Sequence, residues 1–171
     1  MIEGYIAMSA DGYVADHAGG VDWLERFGTI DFGFGDFMAT VDTVVMGRTT
    51  YDQVIAFGGD YPYAGKRSIV VTSNAVTTGP ADVIAWHDGI PALAAQLSRE
   101  DGNAWVVGGA MLQSAFIKAG LLDRLRLFVM PIFLGAGIRL HDADHPPLDL
   151  HLTDTTRFEG GAVLLDYRLG R

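Results

Sequence analysis

The segment that decides the fold is Trp105-Val106-Val107-Gly108-Gly109-Ala110-Met111-Leu112. An apolar, β-branched run ends at a glycine pair, and a helical spacing of apolar residues through Phe116 begins directly after it. The pattern predicts a buried strand that leads into a helix through a turn without side chains. Such a turn lets a ligand approach the backbone, and the free N–H groups of the helix favour a phosphate there. The alternative is a purely structural turn whose glycines adopt positive φ.

Composition restricts the class of protein. Of the 171 residues, 49% are hydrophobic and 19% are charged, so we expect a folded core and predict a single domain over residues 1–171. The absence of cysteine excludes disulfide frameworks, thiolate zinc sites and cysteine nucleophiles. The formal net charge of −9 argues against a nucleic-acid partner. No apolar run is long enough to span a membrane and no secretory leader pattern begins the sequence, so we expect a cytoplasmic protein.

Apolar strand patterns alternate with helical patterns along the chain. Strands are expected at residues 2–8, 42–46, 67–72, 83–86, 105–108 and 121–133, and helices at 34–40, 48–54, 90–99 and 112–118. Two further strands, 148–158 and 162–169, are joined by a glycine-rich turn and predict a hairpin. This order is typical of an α/β fold with a mainly parallel sheet and antiparallel strands at one edge.

Three of the predicted strands end in residues suited to a phosphorylated ligand. These ends are Gly47-Arg48-Thr49-Thr50, Thr72-Ser73-Asn74 and Gly108-Gly109-Ala110. Parallel strands present their carboxyl ends at one edge of a sheet, where ligands of open α/β folds bind. Helix N-termini, hydroxyl groups and the guanidinium of Arg48 would then converge. We infer a site for a nucleotide-type cofactor, although neither G-x-G-x-x-G nor a P-loop motif is present.

The same segments, in the same order, resemble the dihydrofolate reductase superfamily. The matching blocks are Met8-Ser9-Ala10-Asp11-Gly12-Tyr13-Val14-Ala15, Met46-Gly47-Arg48-Thr49-Thr50-Tyr51, Val70-Val71-Thr72-Ser73-Asn74 and Val106-Val107-Gly108-Gly109. With Leu122-Asp123-Arg124-Leu125 and Pro131-Ile132-Phe133-Leu134-Gly135, the chain is more similar to the reductase (RibD C-terminal) domain of bacterial riboflavin biosynthesis and its small stand-alone relatives. The resemblance implies a three-layer α/β fold with a central, mainly parallel sheet of about eight strands, a C-terminal antiparallel hairpin, and NADPH bound across the carboxyl edge.

Matching positions imply cofactor-binding roles for fourteen residues. The pyrophosphate and the phosphate beside it would be held by Gly47, Arg48, Thr49 and Thr50, and at the helix start by Gly108, Gly109, Ala110, Met111 and Leu112. The adenosine end would be lined by Thr72, Ser73 and Asn74, with Ser73 a candidate contact for the 2′-phosphate. The nicotinamide ring would be flanked by Ala7 and Val14.

The proton donor is the least defined part of the predicted site. Folate reductases carry one carboxylate on the helix before the Met-Gly-Arg block, where it binds and protonates the substrate. Asp31 is the nearest match and the candidate catalytic residue, with Asp36 as a rival. The alternative for either residue is a solvated or helix-capping aspartate.

The function predicted is that of an NADPH-dependent reductase acting on a small heterocyclic or carbonyl substrate. Alternatives are 5-amino-6-(5-phosphoribosylamino)uracil reductase in riboflavin biosynthesis, dihydrofolate reductase, and a nucleotide-binding module without turnover. The sequence lacks the basic set expected for a ribose-phosphate substrate. Apolar residues 125–133 are compatible with a homodimer. The run His141-Asp142-Ala143-Asp144-His145 has the composition of a metal site but precedes two prolines, so we predict no metal.

Overall fold

A computed structural model describes residues 1–140 and 147–169 of the chain. Within these ranges the strands are β1 (Ile2–Ser9), β2 (Tyr13–Ala15), β3 (Thr43–Gly47), β4 (Arg67–Val71), β5 (Ile84–Trp86), β6 (Ala104–Gly108), β7 (Arg124–Met130), β8 (Ile138–Arg139), β9 (Leu150–Arg157) and β10 (Val163–Leu169). The α-helices are α1 (Phe34–Thr40), α2 (Arg48–Ala56), α3 (Gly89–Leu97) and α4 (Ala110–Lys118). Short 3-10 helices cover Asp22–Phe27 and Glu159–Gly161.

Eight of these strands form one sheet in the order β5-β4-β3-β6-β1-β7-β10-β9. The first six are parallel to their neighbours, whereas β10 runs antiparallel to both β7 and β9. The predicted mainly parallel sheet with a C-terminal antiparallel hairpin is therefore confirmed. The parallel order brings the carboxyl ends of β1, β3, β4, β5 and β6 to one edge.

Helices cover both faces of the parallel strands. On one face α3 and α4 pack Leu93 and Phe116 against the sheet, and on the other α1 and α2 pack Phe37 and Tyr51. Because successive side chains of a strand point to opposite faces, strands covered on both sides must be apolar throughout. β3 shows this directly: Val44, Val45 and Met46 are all 0% exposed. The result is a three-layer α/β/α arrangement.

The strand expected within 121–133, after Asp123 and up to Pro131, is β7, which ends at Met130 because Pro131 cannot donate a backbone N–H to a ladder. The sequence did not predict β8, which pairs with β2 in a small second sheet. Two-residue strands have no periodicity to detect, and their pairing depends on distant chain. In the part of the chain described, no helix has both the length and the apolar character needed to cross a membrane.

Candidate functional site

Three turns meet at the carboxyl edge of the sheet. β3 lies between β4 and β6, and its last residues pair with theirs: Met46 with Gly108, and Gly47 with Val71. The segments that follow these strands, 47–50, 72–74 and 108–112, are therefore neighbours in space. The predicted convergence of the three turns is observed.

Glycines keep the backbone of these turns accessible. A Cβ added to Gly47 would lie 3.9 Å from the backbone nitrogen of Gly109 and 4.0 Å from the carbonyl oxygen of Gly108, so it would occupy the space between the two turns. Gly108 has a φ of 150°, which residues with a side chain rarely adopt, and the Gly108–Gly109 peptide bond is cis. A Cβ on Gly109 would lie 3.2 Å from the hydroxyl oxygen of Thr50. The two turns thus form a cradle lined by backbone.

Both helices that follow these turns begin at the edge. The N-cap residues are Gly47 for α2 and Gly109 for α4, and neither has a side chain that could satisfy the first N–H groups. The helix starts therefore carry positive partial charge facing the cradle. Of the predicted α4 residues, Met111 is 86% exposed, whereas Leu112 is 7% exposed and packs in the core. The Leu112 N–H already donates to the Gly109 carbonyl at 2.9 Å, so this residue offers a ligand little more than packing support.

Arg48 links the first two turns. Its Nη1 donates to the carbonyl oxygen of Ala75 at 3.0 Å, directly beyond Thr72-Ser73-Asn74. Its Nε donates to both carboxylate oxygens of Asp52, one turn later in α2, at 2.8 and 2.9 Å. These bonds hold the guanidinium at the edge of the sheet beside the loop after β4. In that loop Ser73 and Asn74 are exposed, and the Asn74 N–H donates to the Thr72 hydroxyl at 3.1 Å.

Ala7 and Val14 lie in separate parts of the core. Ala7 belongs to β1, pairs with Phe128 in β7, and packs against the cluster that contains Met130. Val14 is 7% exposed and belongs to the large cluster that contains Leu112. The structure does not join these two predicted nicotinamide neighbours in a single cluster, although both belong to segments at the carboxyl end of β1.

Asp11, in the turn after β1, accepts hydrogen bonds from a distant loop. Its Oδ1 accepts hydrogen bonds from the Ser9 hydroxyl at 2.6 Å and the Leu134 N–H at 3.1 Å, and its Oδ2 accepts one from the Gly135 N–H at 2.7 Å. These bonds, led by the one from Ser9, lower the pKa of Asp11. Asp11 therefore ties the turn after β1 to the loop after β7. The Asp-Gly dipeptide after a strand signals a turn, but nothing local identifies a partner 124 residues away.

The two candidate proton donors, Asp31 and Asp36, lie at the start of α1 and just before it. Asp31 is exposed and precedes α1, because Gly33 at φ 74° delays the start of the helix to Phe34. Its Oδ1 accepts a hydrogen bond from the Gly33 N–H at 2.8 Å. Asp36 is exposed in the first turn of α1. Asp36 is therefore on the helix before β3, whereas Asp31 lies in the loop that precedes this helix.

Tyr5 is a polar group close to this loop. Its hydroxyl donates to the carbonyl oxygen of Phe32 at 3.1 Å, and its ring stacks on Phe37 with centroids 4.2 Å apart. Burial, opposed by Arg126 and assisted by the negative charge of Asp31, raises the pKa of Tyr5 to about 12. Tyr5 therefore remains a protonated hydrogen-bond donor at neutral pH. The run 141–145, considered for a metal, lies outside the residues that the structure describes.

Comparison with known proteins identifies relatives over the whole fold. The family model described as the RibD C-terminal domain matches residues 4–164. The uncharacterised protein YwjB of Bacillus subtilis is 39% identical over 165 residues, which is 95% of this chain and 94% of that protein. Among solved structures, a protein from Shewanella sp. PV-4 whose name connects it with riboflavin biosynthesis superposes with a TM-score of 0.87 and 28% identity, covering 99% of both chains.

A more distant structure supports the same fold. Dihydrofolate reductase from Enterococcus faecalis, solved in complex with NADP(H), superposes with a TM-score of 0.64 and 16% identity over 100% of this chain and 97% of that one. At that identity the match concerns the arrangement of strands and helices alone. It confirms the expected dihydrofolate reductase-like architecture.

Proposed function

The chain belongs to the RibD C-terminal domain family, and we propose that it is an NADPH-dependent reductase of a small heterocyclic or carbonyl compound. The observation that carries this proposal is the cradle between Gly47 and the Gly108–Gly109 turn, into which a Cβ on Gly47 would project. A backbone-lined cradle with two helix starts facing it suits a pyrophosphate. NADPH supplies a hydride when it is bound, and the protein's part is to hold and orient it.

The cofactor would cross the carboxyl edge of the sheet. The strands β1 and β4 are three strand spacings apart, which is about 14 Å and suits an extended dinucleotide. The pyrophosphate and adjoining phosphate would contact Arg48 and the segments 47–50 and 108–111. The adenosine would lie over Thr72-Ser73-Asn74, and the nicotinamide ring near Ala7 and Val14. We propose that Asp11 shapes this last end by holding the loop after β7 against the turn after β1.

The substrate would enter beside the nicotinamide, on the side of α1 and the aromatic residues around Tyr5. A protonated Tyr5, which donates to the Phe32 carbonyl, and the carboxyl group of Asp31 are the polar groups that we assign to that region. Asp31 stays the candidate proton donor of this proposal. Turnover of dihydrofolate that survives Asp31→Asn would contradict a folate mechanism of that kind.

Two substrates test the range of the proposal. The connection with riboflavin biosynthesis makes 5-amino-6-(5-phosphoribosylamino)uracil the first compound to assay, and the shared architecture makes dihydrofolate the second. The non-enzymatic alternative, a nucleotide-binding module, predicts cofactor binding without substrate-dependent loss of absorbance from the reduced nicotinamide.

The decisive experiment is titration of the purified protein with NADPH while tryptophan fluorescence is followed. Trp86 lies at the end of β5, beside the loop after β4, so binding is expected to quench its emission. NADH serves as the comparison ligand. A protein that responds to neither compound at millimolar concentration would not be a nicotinamide-dependent reductase.

We also propose that the protein forms a homodimer through the sheet face at β9 and β10. Leu150 and Leu152 of the edge strand β9 are 42% and 47% exposed. Leu150 also borders an apolar groove of about 320 Å³, lined by Met8, Ile117, Leu125, Leu127, Leu140, Leu148 and Leu150, together with Gly12 and Arg139. Because each copy carries a net charge of −9, association would have to come from burial of this apolar surface.

A further inference from the structure

His87 follows the edge strand β5 at the adenosine end of the proposed cofactor site. The Thr72 N–H donates to the carbonyl oxygen of Trp86 at 3.1 Å, which continues the pairing of β4 with β5 beyond Val71. The His87 ring then reaches back, with Nδ1 2.7 Å from the carbonyl oxygen of Thr72. An exposed imidazole is thus attached to the residue that precedes Ser73, the predicted 2′-phosphate contact.

This hydrogen bond determines the tautomer of the ring. A carbonyl oxygen only accepts hydrogen bonds, so Nδ1 of His87 must carry a hydrogen. In the neutral ring Nε2 then has none and presents a lone pair. Nε2 becomes a donor only when the ring is an imidazolium. Among residues 1–140 and 147–169, no partner of Nε2 is observed.

We propose that His87 is a pH-dependent specificity residue of the cofactor site, whose Nε2–H donates to the 2′-phosphate of NADPH when the ring is an imidazolium. This inference rests on the proposed function and deepens it. The neutral ring would direct a lone pair at an anion, so it would give NADPH no advantage over NADH. Arg48, which is charged at all physiological pH values, would supply a constant attraction for both cofactors.

Charged residues lie in α2, just before β5 and at the start of α3, the segments that border His87 or the loop after β4. Arg48 and its partner Asp52 lie in α2 and reach the loop after β4 through the Ala75 carbonyl. Asp82 precedes β5, and Asp88 is the N-cap residue of α3. The segment 72–74 itself carries no charge.

The test compares binding of NADP⁺ and NAD⁺, measured by calorimetry between pH 6.5 and pH 8.5. The oxidised cofactors are stable across this range, and a phosphate monoester, whose second pKa is about 6, stays mainly dianionic in it. For the wild-type protein the ratio of the two dissociation constants is expected to favour NADP⁺ about tenfold more at the acidic end, as for a hydrogen bond between charged groups.

Two variants separate a phosphate contact from support of the loop. His87→Asn keeps an amide nitrogen able to donate to the Thr72 carbonyl but has no counterpart of Nε2. It is expected to bind NAD⁺ like the wild type and to show a low, pH-independent preference for NADP⁺. His87→Ala is expected to lose the preference to the same extent. His151→Asn, an exposed histidine change on β9, is the matched control and should keep the wild-type profile.

Three other outcomes would contradict the inference, and each has a different explanation. If His87→Asn keeps the pH dependence of the wild type, another group recognises the phosphate. If both variants weaken NADP⁺ and NAD⁺ equally, His87 only supports the loop. If the wild-type protein binds neither nucleotide, the proposed function fails and this inference fails with it.

Discussion

At the scale of single residues, Arg48 has the properties expected of a phosphate contact. Its guanidinium is positioned by Asp52 and Ala75 and lies where a helix begins and two turns meet. A planar, permanently charged group with several N–H donors recognises phosphate oxygens geometrically as well as electrostatically. We therefore expect it to contribute to affinity rather than to folding.

Arg48→Ala is expected to raise the dissociation constant of NADPH about tenfold or more, the loss associated with a charge-assisted hydrogen bond. The measurement is the fluorescence titration. Arg67→Ala is the matched control, because Arg67 also forms an exposed ion pair, with Glu100 at 2.6 Å, but begins β4 at the opposite edge of the sheet. Equal losses in the two variants would mean that the cofactor binds elsewhere.

The lowered pKa of Asp11 predicts how the stability of the folded protein depends on pH. Its pKa is lower in the folded protein than the ordinary value of 3.8, so its ionised form stabilises the fold above that value, and this stabilisation is lost as pH falls through the folded pKa. Chemical unfolding of Asp11→Asn and wild type should therefore differ most above pH 5, and the difference should shrink only as pH falls below 3.8 towards the folded pKa. A difference that stays constant down to pH 3 would contradict the assigned cause.

At the scale of elements, the cradle is a property of two strand-to-helix turns. Neither β3–α2 nor β6–α4 forms it alone, because the atoms nearest to a Cβ on Gly47 belong to Gly108 and Gly109 of the neighbouring turn. β3 and β6 are adjacent strands of the sheet although some 60 residues separate them in sequence.

The Gly47→Ala variant distinguishes an effect on NADPH binding from an effect on folding stability. The nearest atoms to the new Cβ are 3.9 Å away and Gly47 has an ordinary extended φ of −75°, so the melting temperature should stay close to that of the wild type. The methyl group would occupy the space proposed for the pyrophosphate, so the dissociation constant of NADPH should rise about tenfold. Gly35→Ala in α1 is the control, since nothing lies within 4 Å of its Cβ position. Unchanged NADPH affinity in Gly47→Ala would remove the pyrophosphate from the cradle.

At the scale of the whole molecule, a charged network joins three strands at the amino-terminal part of the sheet. Arg124 in β7 donates through Nε to Asp166 in β10 at 2.8 Å. Arg126 lies 3.7 Å from the buried carboxylate of Glu3 and 3.9 Å from that of Asp166. Burial raises the pKa of Glu3, although Arg126 and Arg124 oppose this effect. These groups connect β1, β7 and β10.

Asp166→Asn is expected to lower the free energy of unfolding by about 3 kcal/mol, because it leaves two arginines without their shared, nearly buried carboxylate. Urea unfolding measures the change. Asp154→Asn, directly opposite on the edge strand and exposed, should change stability by less than about 0.5 kcal/mol. NADPH binding by the folded Asp166→Asn protein should be unaffected. Comparable losses of stability in the two variants would show that the buried network contributes little.

The proposed homodimer also concerns the whole molecule, and a substitution on β9 tests it. Leu152→Asp is expected to raise the dimer dissociation constant at least about tenfold, since it replaces apolar contact area with a charge that the partner must desolvate. Sedimentation velocity over a range of concentrations measures this. Phe57→Asp is the control, because Phe57 is 82% exposed on a different surface. A wild-type protein that sediments as a monomer at all concentrations would refute the proposal.

Much of the fold could be predicted because its signals are local. Apolar runs that end at glycine marked β3 and β6, and the helices after them followed from apolar spacing. The single-domain extent of residues 1–171 stays a prediction. The predicted helix at 34–40 coincides with α1, which leaves Asp31 in the preceding loop. His87 and β8 were missed because each is defined by a partner distant in sequence, Thr72 for the first and β2 for the second.

By itself the sequence determined the order of strands and helices, the family resemblance and the three phosphate-suited turns, because hydrophobic periodicity and glycine positions depend only on neighbouring residues. Only the tertiary structure decided that a methyl group on Gly47 would meet Gly109, that Asp11 holds residues 134 and 135, and that the His87 ring has its Nδ1 committed to Thr72. Those relations arise where distant segments pack together, and the distance between two such segments is not encoded in either of them.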